Sequence, residues 1–383
     1  MCLLVILGLL LAAGARAAGW SVAVTPDDAL YPALDLSQGQ RTHSERPDAG
    51  VIGAGTGLVQ VDRLAAHDGE RVTLAVRSRW LAQPAVLSAT LPRAGERYRL
   101  RPVLDWNASA LSRLAAPEPA DLEFEFAVDG APPERRRVPV KLHPLDEALY
   151  FVRDGADQVD LGWIFAAYAD PQSHVVDEIL ALARERHPEV MLEPGRRSRQ
   201  EILAAAFAIW EVLERHGLRY ADENPGVARG PAVWSQRVRR HEDAWRERRA
   251  NCLDGSLLIA AALERAGIGS ALILVPGHAL LAFNDAPGEA QPVFVETTLL
   301  GTRKLPARAR PAFVRRLGGF DPAAMDSFDA ALAAGRARYA REAHGFGRRD
   351  PDYQWIDLAT ARSYGIIPLV ASGTAAAAPA PPR

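Results

Sequence analysis

The chain has 383 residues, of which 48% are hydrophobic and 24% are charged, a composition typical of a globular protein. This length suits two domains of about 100–200 residues each. The formal net charge is −2 and the Lys and Arg residues are scattered, so the sequence shows no basic footprint for binding nucleic acid or an acidic membrane surface.

The first 18 residues have the pattern of a cleavable secretion signal. Residues 3–13 are apolar, and the small-residue site Ala15-Arg16-Ala17 follows them. This stretch is too short for a spanning helix, and no later segment reaches transmembrane length. We therefore expect an exported protein, periplasmic or secreted, with no integral membrane segment after signal cleavage. A retained N-terminal anchor is the alternative.

Hydrophobic and polar residues alternate in many places between residues 19 and 150, as they do in strands with one buried face. The alternation is clearest at 71–76, 122–128 and 138–142, and turn-forming pairs such as Asp-Gly and Pro-Pro bound these segments. Residues 19–150 are therefore predicted to form a β-rich domain, an antiparallel sandwich or a small barrel.

Residues 151–370 are the second predicted domain, in which the hydrophobic period becomes helical. We predict helices at 175–186, 199–216, 253–265 and 321–343, with a loop at 217–231. Strands are expected at 271–275, 279–283 and 293–298, with a turn at 284–290 and a mixed segment at 353–369. The predicted class is α+β, and the Ala/Pro-rich tail at 371–383 is predicted to be disordered.

Cys252 is the one cysteine that remains after removal of the signal, which contains Cys2. A lone thiol in an exported protein is a candidate reactive group. Residues 249–256 (RANCLDGS) lead into an apolar helical run, so the thiol lies at the start of a predicted helix, where the backbone N–H groups and the helix dipole favour the thiolate. A free cysteine on its own is more often a small buried hydrophobe, so the interpretation depends on its partners.

His278 and Glu296 are the candidate partners of the thiol. A thiol catalyst needs an imidazole to carry its proton and a third polar group to orient the imidazole. If the two strands pair symmetrically about Pro287, these side chains face each other across neighbouring strands. Asp254 and Asp285 are competing carboxylates, which we assign to the first turn of the helix and to the turn between the strands.

Three segments, RANCLDGSLLIAAALERAGI, LILVPGHALLAF and VFVETTLLG, resemble the transglutaminase-like branch of the papain-like cysteine peptidase superfamily, in particular bacterial exported transglutaminase-like proteins. A weaker likeness extends over about residues 151–302. The resemblance implies that Cys252 attacks the substrate, that His278 is the base and then the acid, and that a carboxylate on the next strand orients it. Glu296 stands where the superfamily usually has Asp, so the strand spacing or the ring position should differ slightly.

The oxyanion of a tetrahedral intermediate needs hydrogen-bond donors. The Cys252 backbone N–H is one candidate, and Gln236 is the side-chain candidate suggested by analogy, with a solvated polar residue as the alternative. No HExxH, paired-cysteine or EF-hand spacing is present, so neither a metal site nor another cofactor is expected.

These patterns predict an exported thiol hydrolase, a cysteine peptidase or amidase that cleaves an amide bond in a protein or peptide. The β-rich domain is expected to bind substrate or a partner. One alternative is a protein cross-linking acyltransferase with the same triad, and another is a non-catalytic binding or scaffold protein. Hydrolysis is favoured because Leu280, Leu281 and Phe283 are most simply core residues rather than the walls of a lysine tunnel. The oligomeric state stays open.

Overall fold

The computed structural model describes residues 19–38, 50–154, 157–222, 227–230, 232–284, 291–302, 305, 310–347 and 350–369. The predicted signal at 1–18, the tail at 371–383, Asp285 and most of the turn at 284–290 lie outside the described residues. Within them the chain is a mixture of helices and strands, in agreement with the predicted α+β class. No helix in this part of the chain is both long and apolar enough to cross a membrane.

Residues 20–142 form two sheets that share one core. Their elements are β1 (Trp20–Val24), β2 (Ala29–Leu30), α1 (Pro32–Leu36), β3 (Val51–Ile52), β4 (Val59–Leu64), β5 (Glu70–Arg77), β6 (Ala85–Leu91), β7 (Arg97–Leu100), α2 (Ala108–Leu111), β8 (Glu118–Val128) and β9 (Glu134–Leu142). The strand orders are β1-β4-β7-β3 and β2-β9-β8-β5-β6. Side chains from both sheets, such as Val61, Leu74, Tyr98 and Phe124, meet in this core. The pairs β2–β9 and β3–β7 are parallel, so the prediction of an antiparallel arrangement holds only in part.

The second region carries the predicted site. Its elements are β10 (Glu147–Asp154), β11 (Asp157–Asp160), α3 (His174–Arg186), α4 (Arg199–His216), β12 (Arg219–Tyr220), β13 (Val227–Arg229), β14 (Val233–Arg237), α5 (His241–Glu247), β15 (Arg249–Ala250), α6 (Cys252–Arg265), β16 (Ser270–Val275), β17 (His278–Asn284), β18 (Pro292–Val295), α7 (Pro322–Glu342), β19 (Gln354–Asp357) and α8 (Leu358–Ser363). Short 3-10 helices lie at Gly162–Tyr168, Thr297–Leu299, Ala312–Arg316 and Ala343–Gly345.

A four-stranded sheet of order β18-β17-β16-β19 lies between α6 and α7. Leu281 and Val295 of this sheet share a core with α6, whereas Leu280 and Phe294, which point the other way, pack with Tyr339 of α7. This follows from strand geometry, since successive side chains point to opposite faces. One face of the sheet therefore packs against α6 and the other against α7. The predicted site lies where β17 begins and β18 ends.

Strand β10 crosses the predicted domain boundary between residues 150 and 151. It pairs with β14, which belongs to the second region. Tyr31 and Leu34, from the first region, pack into the second core. Residue 150 therefore lies inside a strand whose partner belongs to the second region.

Local periodicity located the long elements well and the short strands poorly. Helix α4 has the predicted bounds, and α6 begins one residue earlier than expected. The predicted loop at 217–231 contains β12 and β13, and the strand expected over 293–298 ends at Val295. β12 pairs with a distant segment, β15, and local sequence carries little of that information. β13 pairs with the nearby β14.

Candidate active site

The first turn of α6 positions Cys252. The side chain of the N-cap residue Asn251 accepts hydrogen bonds from the N–H groups of Leu253 and Asp254, both at 2.9 Å, and Asp254 accepts one from the Asn251 N–H at 3.3 Å. This capping box satisfies those donors. Among the described residues, the Cys252 N–H has no hydrogen-bond partner, so it remains available to a ligand at the positive end of the helix.

Asp254 is occupied by the helix cap and by a neighbouring loop. Its side chain is buried, and Oδ1 accepts a hydrogen bond from the Arg239 N–H at 2.8 Å. Burial raises the pKa of Asp254 to about 6, although the hydrogen bonds from Arg239 and Asn251 favour its charged form. These contacts match the first-turn assignment made for Asp254 and give it no contact with His278.

His278 and Glu296 form a hydrogen-bonded pair. His278 begins β17 after the two-residue turn Pro276-Gly277, in which Gly277 has a positive φ of 68°. Its Nε2 atom lies 2.9 Å from both Oε1 and Oε2 of Glu296. The side chains are 11% and 6% exposed, so the pair is largely shielded from water. The structure therefore brings together the two residues that the strand pattern selected.

The register of this hairpin differs from the predicted one. Leu281 pairs with Val295, which centres the hairpin one residue later than Pro287. Continuing this register, Leu280 rather than His278 lies opposite Glu296, and the His278–Glu296 contact is diagonal. The observed pairing differs from the predicted one by two positions, so both side chains still lie on the same face of the sheet. Glu296 lies just beyond β18 and caps the 3-10 helix that follows.

The charge on His278 is stabilised from two sides. Burial by itself lowers the pKa of His278, but hydrogen bonds to Cys252 and Glu296, together with their negative charges, raise it to about 9. Burial raises the pKa of Glu296, but the hydrogen bond and charge of His278, with a contribution from Thr298, lower it below its ordinary value. Because Nε2 binds Glu296, Nδ1 is the ring nitrogen left for Cys252. The arrangement favours an imidazolium at neutral pH.

Two hydroxyl groups join α6 to the segment that carries Glu296. Ser256 Oγ and Thr297 Oγ1 donate to the Cys252 carbonyl at 2.6 and 3.1 Å, and the two hydroxyls are 3.2 Å apart. Sequence reasoning assigned no role to either residue. The signal available was their position, since Ser256 follows the cysteine by one helical turn and Thr297 follows the glutamate.

Gln236 is not hydrogen-bonded to the other predicted site residues. It lies within β14, paired with Ala148 of β10, and its Nε2 donates to the Arg237 carbonyl at 3.0 Å. No hydrogen bond between Gln236 and Cys252 or His278 is present in the described part of the chain. The contact with Arg237 uses one of the two N–H donors of the amide. The oxyanion assignment of Gln236 stays a prediction.

Tyr220 is a site residue that sequence reasoning left without a role. Strand β12 pairs in parallel with β15, which places Tyr220 beside Ala250, two residues before the nucleophile. Its N–H donates to the Leu300 carbonyl at 3.3 Å, on the segment that follows Glu296. Burial, then the negative charges of Cys252 and Asp222 and a hydrogen bond to Asp222, raise the pKa of Tyr220 to about 12. Its phenol therefore stays protonated and is a hydrogen-bond donor.

Neither a protein-family model nor a curated protein matches this sequence. Within the described residues, no group of three or more His, Cys, Asp and Glu side chains could hold a metal ion. The chemistry of the site therefore has to be argued from Cys252, His278, Glu296 and their immediate contacts.

Proposed function

We propose that the chain is an exported thiol hydrolase of the transglutaminase-like type, which cleaves an amide bond in a protein or peptide through an acyl-enzyme. The observation that carries this proposal is the hydrogen bond between His278 Nε2 and Glu296, in a ring that also adjoins Cys252 at the start of α6. Nucleophilic cysteine catalysis requires this order of thiol, imidazole and orienting group.

The first half-reaction would form a thioester. The Cys252 thiolate attacks the substrate carbonyl carbon, and the carbonyl oxygen becomes an oxyanion. As the C–N bond breaks, His278 Nδ1 gives its proton to the leaving nitrogen, so the amine departs neutral and the acyl group stays on sulfur. Glu296 keeps its charge and holds the ring through Nε2.

The second half-reaction would release the acid. His278, now neutral, takes a proton from water, whose oxygen attacks the thioester carbonyl. Collapse of this second tetrahedral intermediate breaks the C–S bond and restores the Cys252 thiolate opposite the imidazolium. The Cys252 N–H and the Tyr220 hydroxyl are the donors proposed for both oxyanions, since Cys252 N–H lacks a partner in the described structure and Tyr220 lies near the thiol.

Water is proposed as the acyl acceptor in preference to an amine. Leu280, Leu281 and Phe283 are at most 1% exposed, so these strand residues are core and do not line a lysine channel. An amine acceptor needs a site that admits it and holds water away. The test has two alternative outcomes. One is cross-linking by the same acyl-enzyme, and the other is the absence of turnover, as expected of a scaffold protein.

The test is a comparison of the protein lacking residues 1–18 with its Cys252→Ala variant. Each is incubated with a digest of unlabelled protein and an excess of labelled primary amine, and the peptides are analysed by mass spectrometry. We expect new free carboxyl termini that depend on Cys252. Amine-linked products with little free acid would favour the acyltransferase. Identical peptide patterns for the two proteins would contradict catalysis by this thiol.

A further inference from the structure

Glu296 is held by α7 as well as by its own strand. Its N–H donates to the carbonyl of Ala331 in the middle of α7, at 3.0 Å. Arg338, about two turns further along α7, places its Nε atom 3.3 Å from Glu296 Oε2. The residue that would orient the catalytic imidazole therefore has a backbone contact and a side-chain contact with one distant helix.

A glycine allows α7 to approach this closely. A Cβ atom on Gly335 would lie 2.6 Å from the carbonyl carbon and oxygen of Phe294 and 2.7 Å from the nitrogen of Val295. Real Cβ contacts are essentially never that short, so any larger residue would push α7 away from β18. Arg338 follows Gly335 by three residues, so both lie on the same side of α7. The close packing at Gly335 therefore brings the Arg338 side chain to the Glu296 carboxylate.

We propose that Arg338 is a positioning residue for the thiol chemistry: it fixes Oε2 of Glu296 so that the carboxylate stays on His278. This inference rests on the proposed function. The two carboxylate oxygens have different partners besides His278. Oε1 accepts a hydrogen bond from Thr298 Oγ1 at 2.8 Å, whereas Oε2 has Arg338. Without Arg338, the carboxylate is free to turn towards Thr298.

The diagonal contact between His278 and Glu296 explains why a positioning residue such as Arg338 is needed at this site. Glu296 has one more rotatable bond than the aspartate usual in the superfamily, and it reaches His278 from beyond the end of β18. Each additional rotatable bond costs entropy when the side chain is fixed. An arginine in contact with the carboxylate limits the rotamers available to it, at a site where both oxygens lie 2.9 Å from Nε2.

Helix α7 does not depend on Arg338 for its own position. The N–H of its N-cap residue Asp321 donates to Glu211 of α4 at 2.5 Å, and Ser327 Oγ donates to Glu214 at 2.7 Å. Arg338 itself is 34% exposed. Substitutions at Arg338 should therefore act on Glu296 while α7 remains packed.

The experiment measures the alkylation rate of Cys252 by iodoacetamide across about pH 5 to 10, read from the peptide that contains this residue. The variants are Arg338→Met, Arg338→Lys and Glu296→Gln, with Arg336→Met as the matched control, since Arg336 is an exposed arginine on the same helix. We expect Arg338→Met to raise the labelling midpoint by about half to one pH unit, towards that of Glu296→Gln. Arg338→Lys should recover part of this shift, and Arg336→Met should match the unchanged protein.

Gly335→Ala gives a second, steric perturbation of the same contact. It should shift the labelling midpoint in the same direction, and thermal unfolding shows whether the variant has kept its fold. The inference is overturned if Arg338→Met labels like Arg336→Met. It is also overturned if, on a peptide substrate, Arg338→Met raises KM with kcat unchanged, because Arg338 would then bind substrate. The proposed function fails separately if the labelling midpoint of Cys252 is the same in the unchanged protein and in a His278→Ala variant.

Discussion

At the scale of single residues, charged groups of alternating sign follow the Cys252 thiol. The His278 ring contacts the Glu296 carboxylate, and this carboxylate contacts the Arg338 guanidinium. Every charge has an opposite neighbour, which offsets the cost of taking these groups out of water. Removal of an inner member leaves a largely buried charge without its partner, so substitutions at His278 or Glu296 affect stability as well as chemistry.

The stability of the His278–Glu296 pair should depend on pH within a defined window. The pKa of His278 rises from 6.5 to about 9 on folding, so its stabilisation is complete below pH 6.5 and is lost as the pH rises through 9. The pKa of Glu296 falls from 4.5, so its stabilisation is present above pH 4.5 and is lost on further acidification. Denaturant unfolding of the protein and of His278→Gln should differ most between about pH 4.5 and 6.5. An equal difference at about pH 6 and pH 9.5 would contradict this assignment.

Tyr220→Phe tests the proposed oxyanion donor. The change keeps the ring and removes only the hydroxyl, so the fold should be unaffected while kcat on a cleaved peptide falls by roughly a hundredfold. KM should change little, because the hydrogen bond strengthens only as the oxyanion forms. Tyr364→Phe is the matched control, since Tyr364 is 50% exposed and lies at the end of α8. Full activity of Tyr220→Phe would remove Tyr220 from the oxyanion site.

At the scale of elements, the N-terminus of α6 is capped and also holds the thiol. Its cap uses Asn251 and Asp254 and leaves the Cys252 N–H without a partner in the described structure. Helix α4 has the same kind of cap, in which Ser198 and Glu201 exchange hydrogen bonds. The two caps are equivalent in local structure, and only the cap of α6 adjoins the thiol. Substitutions in the two caps can therefore be compared to distinguish the effect of capping on stability from its effect on the thiol.

We predict that Asn251→Ala and Ser198→Ala each destabilise the protein by about 1 kcal/mol, as loss of an N-cap side chain usually does. Only Asn251→Ala should slow the alkylation of Cys252, because the thiol then lies at a frayed helix end. Denaturant unfolding and the labelling rate at neutral pH measure the two effects. Equal labelling rates in both variants would show that the capped N-terminus does not support the thiolate.

The sequence was sufficient to predict α4, α6 and the hairpin strands because their hydrophobic periods are regular and their caps are local. It also selected His278 and Glu296, since the number of residues between them limits how the strands can pair. It did not predict the register, because pairing also responds to distant packing such as that of α7 against Phe294. Arg338 and Tyr220 are contributed by distant elements, and no local pattern identifies them.

At the scale of the whole molecule, the site is assembled from segments that lie far apart in the chain. β12, α6, β17, the end of β18 and α7 contribute Tyr220, Cys252, His278, Glu296 and Arg338. Polar contacts hold this assembly together. Thr297 donates to the Cys252 carbonyl, and the Asp321 N–H and the Ser327 hydroxyl of the α7 segment donate to Glu211 and Glu214 of α4. The reactive thiol should therefore exist only in the folded chain.

The most direct test of the central claim is the pH dependence of Cys252 alkylation in the folded protein, in the protein unfolded in denaturant, and in the folded His278→Ala variant. We predict a labelling midpoint below the ordinary thiol value of about 8.5 for the folded protein, and midpoints near that value for the other two. A midpoint at or above about 8.5 in the folded protein, unchanged in His278→Ala, would contradict a Cys252–His278–Glu296 triad.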